Sequence, residues 1–107
     1  MVNTYDLFSD EELEVAELIY QRRLQMLVHS YLYYKAAKPT ITDHQWDEWA
    51  KELKELQEKY PDISCRVGWY DAFKDWDGTT GEFLPLDDEW VVRRAESFIS
   101  NYGRRKK

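Results

Sequence analysis

The chain has few of the residue types and sequence features that several common kinds of protein require. Its 107 residues include one cysteine, Cys65, so no disulfide can form within the chain. With only two histidines beside it, a structural zinc site is not expected. No stretch approaches the ~18 apolar residues of a membrane span, and the N-terminus lacks the basic-then-apolar order of a signal peptide. These absences predict a cytoplasmic protein without a structural metal.

Positive charges are outnumbered by negative ones. Fifteen Lys and Arg stand against 21 Asp and Glu, which gives a net charge of -6. Proteins that bind nucleic acid generally neutralise phosphates with cations, so direct nucleic-acid binding is not expected. Six acids and no base lie within residues 6–17, whereas four bases form a tail at residues 104–107, which we interpret as a solvated terminus.

Glycine and proline are few, and aromatic residues are many. The chain has four Gly and three Pro against five Trp, eight Tyr and four Phe. This composition is typical of proteins with a folded core and not of disordered chains. We therefore predict one domain over residues 1–103, followed by the basic tail.

A capping box predicts where the first helix begins. Ser9 can accept a hydrogen bond from a free backbone N–H of the first turn, and Glu12 can reach back to the N–H of Ser9. Apolar residues then recur at helical spacing and predict a helix over about residues 10–35. Pro39 should stop it, because the residue before a proline is pushed out of the α region.

A second capping pattern, formed by Thr42 and Gln45, opens a helix over about residues 43–60. Trp and Leu side chains form one apolar stripe along it, and Pro61 ends it. Two helices joined by a short loop should lie antiparallel as a helical hairpin.

The residues after the hairpin leave one choice open and predict one further helix. Residues 62–86 are rich in turn signals, and Arg66–Tyr70 could form a short strand, so an irregular segment and a small β-hairpin both stay open. A third helix is predicted over about residues 88–102, with Gly103 as its C-terminal cap. The fold class is mainly α.

No local pattern points to catalysis. Cys65 is expected to be a small buried or half-buried hydrophobic residue, His29 to pack between helices, and His44 to be exposed. No glycine-rich phosphate loop is present. We therefore predict no catalytic residues and no metal ligands.

One segment carries a recognisable pattern: an aromatic cluster, a P-x-I-x-D turn, an aromatic-Asp pair, an E-L-x-x-L helix and an aromatic residue followed by Pro. In this chain these elements are Tyr31–Tyr34, Pro39–Asp43, Trp46-Asp47, Glu52–Leu56 and Tyr60-Pro61. The pattern covers residues 28–63 without a gap. It resembles the small N-terminal helical (Ia-type) domain of NAD-dependent bacterial DNA ligases.

The resemblance implies a site for nicotinamide mononucleotide (NMN), the half of NAD that this ligase domain holds. The positions that correspond to its ligand-binding residues are Tyr33, Tyr34, Asp43, Trp46 and Asp47. Aromatic faces attract a pyridinium cation, and carboxylates can accept hydrogen bonds from ribose hydroxyls. NMN or NAD is thus the expected ligand, and no cofactor is required.

Two positions depart from the family pattern. Tyr34 stands where the family has a His that could meet a phosphate, and Trp46 stands where it has a Tyr. The K-x-D-G nucleophile motif of the ligases is absent, so ligation by this chain is not expected. A small module of this kind would suit a phage or mobile-element product.

Three functions stay open at this point. The first is a non-catalytic module that binds NMN or the nicotinamide end of NAD. The second is an acidic protein-interaction or inhibitor module that keeps the fold without the ligand, for example a counter-defence protein or a modulator of a bacterial host's nucleic-acid enzyme. The third, an enzyme that uses Cys65 or His44, has no supporting spacing.

Overall fold

The computed structural model describes residues 8–37 and 40–105, with side chains as far as residue 100. Within these ranges the chain forms five helices and no strand, which confirms the mainly α fold class. The helices are α1 Asp10–Tyr34, α2 Asp43–Lys59, α3 Pro61–Ser64, α4 Tyr70–Phe73 and α5 Glu89–Arg105. None of the helices in the described ranges is long and apolar enough to cross a membrane.

Helix α1 begins with the predicted capping box. The Ser9 hydroxyl accepts from the Glu12 N–H at 3.2 Å, and the Glu12 carboxylate accepts from the Ser9 N–H at 3.1 Å. The backbone bond from Ser9 is the main reason that the pKa of Glu12 lies below its ordinary value. The helix ends at Tyr34, and Pro39, the predicted stop signal, lies outside the described residues.

Helices α1 and α2 form the predicted antiparallel hairpin. Arg23, in the middle of α1, donates to Gln57 late in α2, whereas Ser30, later in α1, accepts from Trp46 near the start of α2. This crossed order of partners requires the two helices to run in opposite directions. The interface buries Ile19, Met26, Leu27, Ala50 and Leu53 completely.

For residues 62–86 the open alternatives were an irregular segment and a small β-hairpin with a strand at Arg66–Tyr70. The structure excludes the strand: the segment is irregular apart from the short helices α3 and α4. Trp69 instead adopts a left-handed backbone with φ of 71°, and α4 begins directly after it. Arg23, fully buried on α1, holds this segment, because its Nη1 donates to the carbonyl oxygens of Val67 at 3.0 Å and Gly68 at 3.1 Å. These bonds tie the segment to α1.

Helix α5 packs against α1. Asp88 accepts from the N–H of Trp90 at 2.8 Å, which satisfies one of the free donors at the helix start. Farther along, Ala95 packs with Val28 and Leu32 in a small apolar cluster. This contact fixes α5 to the face of α1 that carries Val28 and Leu32.

The predicted cap at Gly103 was also wrong, because the helical backbone passes through it to Arg105. Glycine costs a helix interior only about 1 kcal/mol, and the Arg and Lys residues that follow are good helix formers. A glycine near the end of an apolar pattern is therefore not enough to terminate a helix.

Candidate functional site

An open cleft lies at the end of the hairpin, where the last turns of α1 meet the first turns of α2. Its volume is about 250 Å³. The residues that line it are His29, Tyr33, Tyr34, Ile41, Thr42, Asp43, Trp46, Asp47 and Thr79. The structure thus brings all five residues that the ligase resemblance assigned to the ligand into one cavity.

Two adjacent tyrosines at the end of α1 form the aromatic wall of the cleft. The rings of Tyr33 and Tyr34 meet edge to face, with centroids 4.9 Å apart and planes at 78°. Both side chains are well exposed, Tyr33 at 50% and Tyr34 at 41%. The Tyr34 hydroxyl forms a 2.8 Å hydrogen bond with the Thr80 hydroxyl. That bond fixes one ring, while open aromatic surface stays available in the cleft.

Trp46 lies deeper and is held from two sides. Its indole N–H donates to the Ser30 hydroxyl at 3.2 Å, and its ring meets Trp76 edge to face at 6.3 Å. The indole N–H has an intramolecular acceptor, so it is the ring of Trp46 that the cleft presents to a ligand. This arrangement differs from a phenolic side chain, which would offer a hydroxyl.

The carboxylates of Asp43 and Asp47 stand one turn apart on α2, and both side chains are exposed. Asp43 is the first residue after the N-cap Thr42, whose hydroxyl accepts from the backbone N–H of Gln45 at 3.0 Å. Residues four apart share a helix face, so both carboxylates are turned toward the same region. They give the cleft its acceptors.

His29 forms part of the cleft floor. It is buried between the rings of Trp49 at 5.6 Å and Phe98 at 5.3 Å, as the predicted packing role requires. Its Nδ1 lies 3.5 Å from the Thr40 hydroxyl. Burial lowers the pKa of His29 to about 4, because the imidazolium would lose hydration there. At neutral pH the residues that line the cleft therefore contribute two carboxylates and no cation.

The turn at residues 77–81 supplies a wall that sequence reasoning did not assign to the site. The Asp77 carboxylate accepts from the Thr79 hydroxyl at 2.7 Å and from its N–H at 3.0 Å, and these bonds lower the pKa of Asp77. The indole of Trp76 donates to the Thr80 carbonyl at 2.7 Å. Asp-Gly and Thr-Thr-Gly predicted a turn, but no local signal indicated which side of the hairpin it would contact.

Gly81 explains how closely this turn approaches α1. An added Cβ would lie 2.0 Å from the Ser30 hydroxyl oxygen and 3.2 Å from the Trp46 ring. Only a residue without a side chain allows the backbone to come so near. The turn is therefore packed into the hairpin beside the cleft.

The remaining candidates for chemistry stand apart from this cleft's lining. Cys65 is exposed, contrary to the prediction, because α3 turns Ile63 and Ser64 inward and Cys65 outward; its thiol donates to the Asp62 carbonyl at 3.1 Å. His44 is exposed, as predicted, and pairs with Glu48 at 3.0 Å. In the part of the chain that the structure describes, no group of three or more His, Cys, Asp or Glu side chains is placed to hold a metal.

Comparison with known proteins relates this chain to DNA ligases. The family model for the DNA ligase-like, N-terminal NAD⁺-binding domain matches residues 12–66, which include the five pattern residues of the cleft. A DNA ligase of Christiangramia forsetii is 44% identical over 51 residues, 48% of this chain and 8% of the ligase. For a DNA ligase of Chlorobium chlorochromatii the identity is 36% over 62 residues, 52% of this chain and 9% of the ligase.

A longer and more distant match is a DNA ligase of Anaplasma phagocytophilum, 28% identical over 95 residues, which cover 75% of this chain and 13% of the ligase. The chain thus spans about a tenth of the length of the ligases that it matches. No solved structure gives a significant match.

Proposed function

The chain belongs to the family of DNA ligase-like, N-terminal NAD⁺-binding domains, and we propose from this premise that its cleft binds the NMN half of NAD. The observation that carries the proposal is the convergence of Tyr33, Tyr34, Asp43, Trp46 and Asp47 on one open cavity. Only the N-terminal domain of the ligases is matched, so we propose binding without catalysis, with no cofactor required.

The aromatic residues would hold the nicotinamide ring. Its oxidised form is a cationic pyridinium, which aromatic faces attract by about 0.5–2 kcal/mol per contact, depending on how far water is excluded. Tyr33 and Tyr34 offer exposed rings, and Trp46 offers a ring fixed by Ser30. Preorganised rings lower the entropy cost of ordering the site on binding.

The carboxylates would serve two purposes. Asp43 and Asp47 can accept hydrogen bonds from the ribose hydroxyls, and their negative charge offsets that of the pyridinium. Since His29 is neutral at pH 7 and no Lys or Arg is among the described residues that line the cleft, charge favours the cationic ring over the phosphate. We therefore expect reduced NMN, whose ring is neutral, to bind at least about tenfold more weakly than NMN, a loss of ~1.4 kcal/mol.

The direct test is calorimetric titration of Asp47→Ala with NMN. Removing a carboxylate that accepts hydrogen bonds should weaken binding at least about tenfold. Glu55→Ala is the matched control, because Glu55 is an exposed acid on the same helix and does not line the cleft. Circular dichroism should show equal helix content in both variants. Equal NMN affinity for the two variants would contradict the proposed site.

Two further proposals rest on the sequence: a cytoplasmic location and a phage or mobile-element origin. The second candidate function is the acidic protein-interaction module, whose target in a bacterial host would be a protein with a basic surface. The observation that favours it is an exposed aromatic side chain, Phe83, which lines two surface grooves together with Asp71, Asp75 and Asp77. Its surface is distinct from the walls that α1 and α2 give the cleft.

A further inference from the structure

Phe83 is the most exposed large hydrophobic side chain in the part of the molecule that the structure describes, at 86%. It does not belong to a loose loop, because Leu84 and Leu86 beside it are buried at 6% and 2%. Backbone bonds from the Leu84 N–H to Gly81 and from the Leu86 N–H to Leu84 add to that anchoring. The fold therefore holds an aromatic ring outward on a fixed segment.

Two adjoining grooves meet at this ring, and both are lined by Asp71, Ala72 and Phe83. The larger groove is otherwise lined by Cys65, Trp69, Tyr70 and Pro85. The smaller one is otherwise lined by Asp75, Trp76, Asp77, Thr79, Thr80 and Leu84. We call the two grooves together the Phe83 surface.

The charges of the Phe83 surface have one sign. Its charged lining residues are Asp71, Asp75 and Asp77, and no Lys or Arg is among the described residues of either groove. The hydrogen bonds from Thr79 keep the pKa of Asp77 below its ordinary value, which favours the charged form. An exposed apolar centre with an acidic rim is typical of a binding surface.

We propose that the Phe83 surface docks a basic segment of a partner protein, in which an apolar side chain is flanked by Lys or Arg. The apolar anchor contacts Phe83, Tyr70 and Trp69, and the flanking cations meet Asp71 and Asp75. Charge complementarity selects this occupant. A second copy of this chain, with its net charge of -6, would bring two acidic rims together, and nucleic-acid phosphates would be repelled.

This inference gives the second candidate function a surface and a partner chemistry, and it does not depend on NMN binding. The cleft and the Phe83 surface have one lining residue in common, Thr79. Variants that disable one of them can therefore be chosen away from the other, at Asp47 and at Phe83.

The test uses fluorescence anisotropy with a fluorescein-labelled hexapeptide of sequence Lys-Arg-Leu-Phe-Lys-Arg. We expect saturable binding that weakens as salt is raised, and a loss of at least about tenfold in Phe83→Ser. Asp71→Asn should weaken binding several-fold. Glu96→Gln, which removes an exposed acid from α5, is the matched control and should bind normally. Phe83 is exposed, so Phe83→Ser should keep the helical circular dichroism spectrum and its NMN affinity.

Several results would overturn the inference. One is absence of saturable binding; others are equal binding of a Lys-Arg-Gly-Gly-Lys-Arg peptide or unchanged affinity in Phe83→Ser. Sedimentation that shows self-association abolished by Phe83→Ser would assign the surface to a second copy instead. Failure of NMN binding would appear separately, in the wild-type calorimetric titration with NMN, and would leave the peptide result as it stands.

Discussion

Among single residues, His29 links the core of the protein to the cleft. Its ring packs between Trp49 and Phe98 and also forms part of the cleft floor. Burial alone lowers its pKa to about 4, so the imidazole is neutral under ordinary conditions. A proton on His29 would place positive charge beside the proposed pyridinium site, which would oppose binding of a cationic ring.

His29 should make the free energy of unfolding depend on pH. Its pKa is about 6.5 in an unfolded chain and about 4 in the folded protein, so the unfolded state binds more protons between these values. The contribution of neutral His29 is therefore complete above pH 6.5 and is lost as pH falls toward 4. Between pH 7 and pH 5 the loss should be roughly 2 kcal/mol.

Urea unfolding at the two pH values measures this loss. In His29→Leu, which has no titrating group at this position, the drop in unfolding free energy should be smaller by about that amount, whatever its stability at pH 7. An equal drop in the wild type and in the variant would contradict the role of His29.

Among the elements, the turn at residues 77–81 determines how the cleft is closed on one side. Gly81 touches Ser30 on α1 and Trp46 on α2, so the turn is packed against both helices of the hairpin. Thr79 enters the cleft because this packing holds the turn in place. A short irregular element thus completes a site built mainly by two helices.

Gly81→Ala should disturb this packing strongly. The new Cβ would meet the Ser30 side chain at 2.0 Å and 2.6 Å, and Ser30 is fully buried, so the turn itself must shift. We expect a loss of about 1–3 kcal/mol in urea unfolding and weaker NMN binding. Gly68→Ala is the control, because its Cβ would meet only the Tyr20 ring, at 3.0 Å, and Tyr20 is partly exposed. Equal stability of the two variants would show that the turn does not need the close approach of Gly81 to Ser30.

The elements also show which structure can be predicted locally. The hairpin helices were expected at about 10–35 and 43–60 and lie at Asp10–Tyr34 and Asp43–Lys59, because caps and a proline within a few residues define most of their ends. Such local signals could not decide whether Arg66–Tyr70 forms a strand. Its backbone is held by Arg23, more than forty residues earlier in the chain, and no local pattern reports such a bond.

Across the whole molecule, one part of the site could be predicted from the sequence and another part could not. The five cleft residues that the ligase resemblance implied lie close together in sequence on two adjoining helix ends, so a local motif was enough to name them. Whether the cleft stays open depends on where the rest of the chain packs. In the structure, α5 contacts the Val28 and Leu32 face of α1 and leaves the tyrosine wall exposed. Thr79 and Phe83 could be assigned to surfaces only from the folded chain.

We propose above all that the cleft holds nicotinamide mononucleotide. Two-dimensional amide NMR of the labelled protein, titrated with NMN, tests it most directly, and the Trp46 indole N–H gives a reporter inside the cleft. We expect saturable shifts at Tyr33, Tyr34, residues 43–47 and the Trp46 indole, with no shift at Phe83. Absence of any shift at millimolar NMN, where binding would be weaker than about 4 kcal/mol, would contradict it.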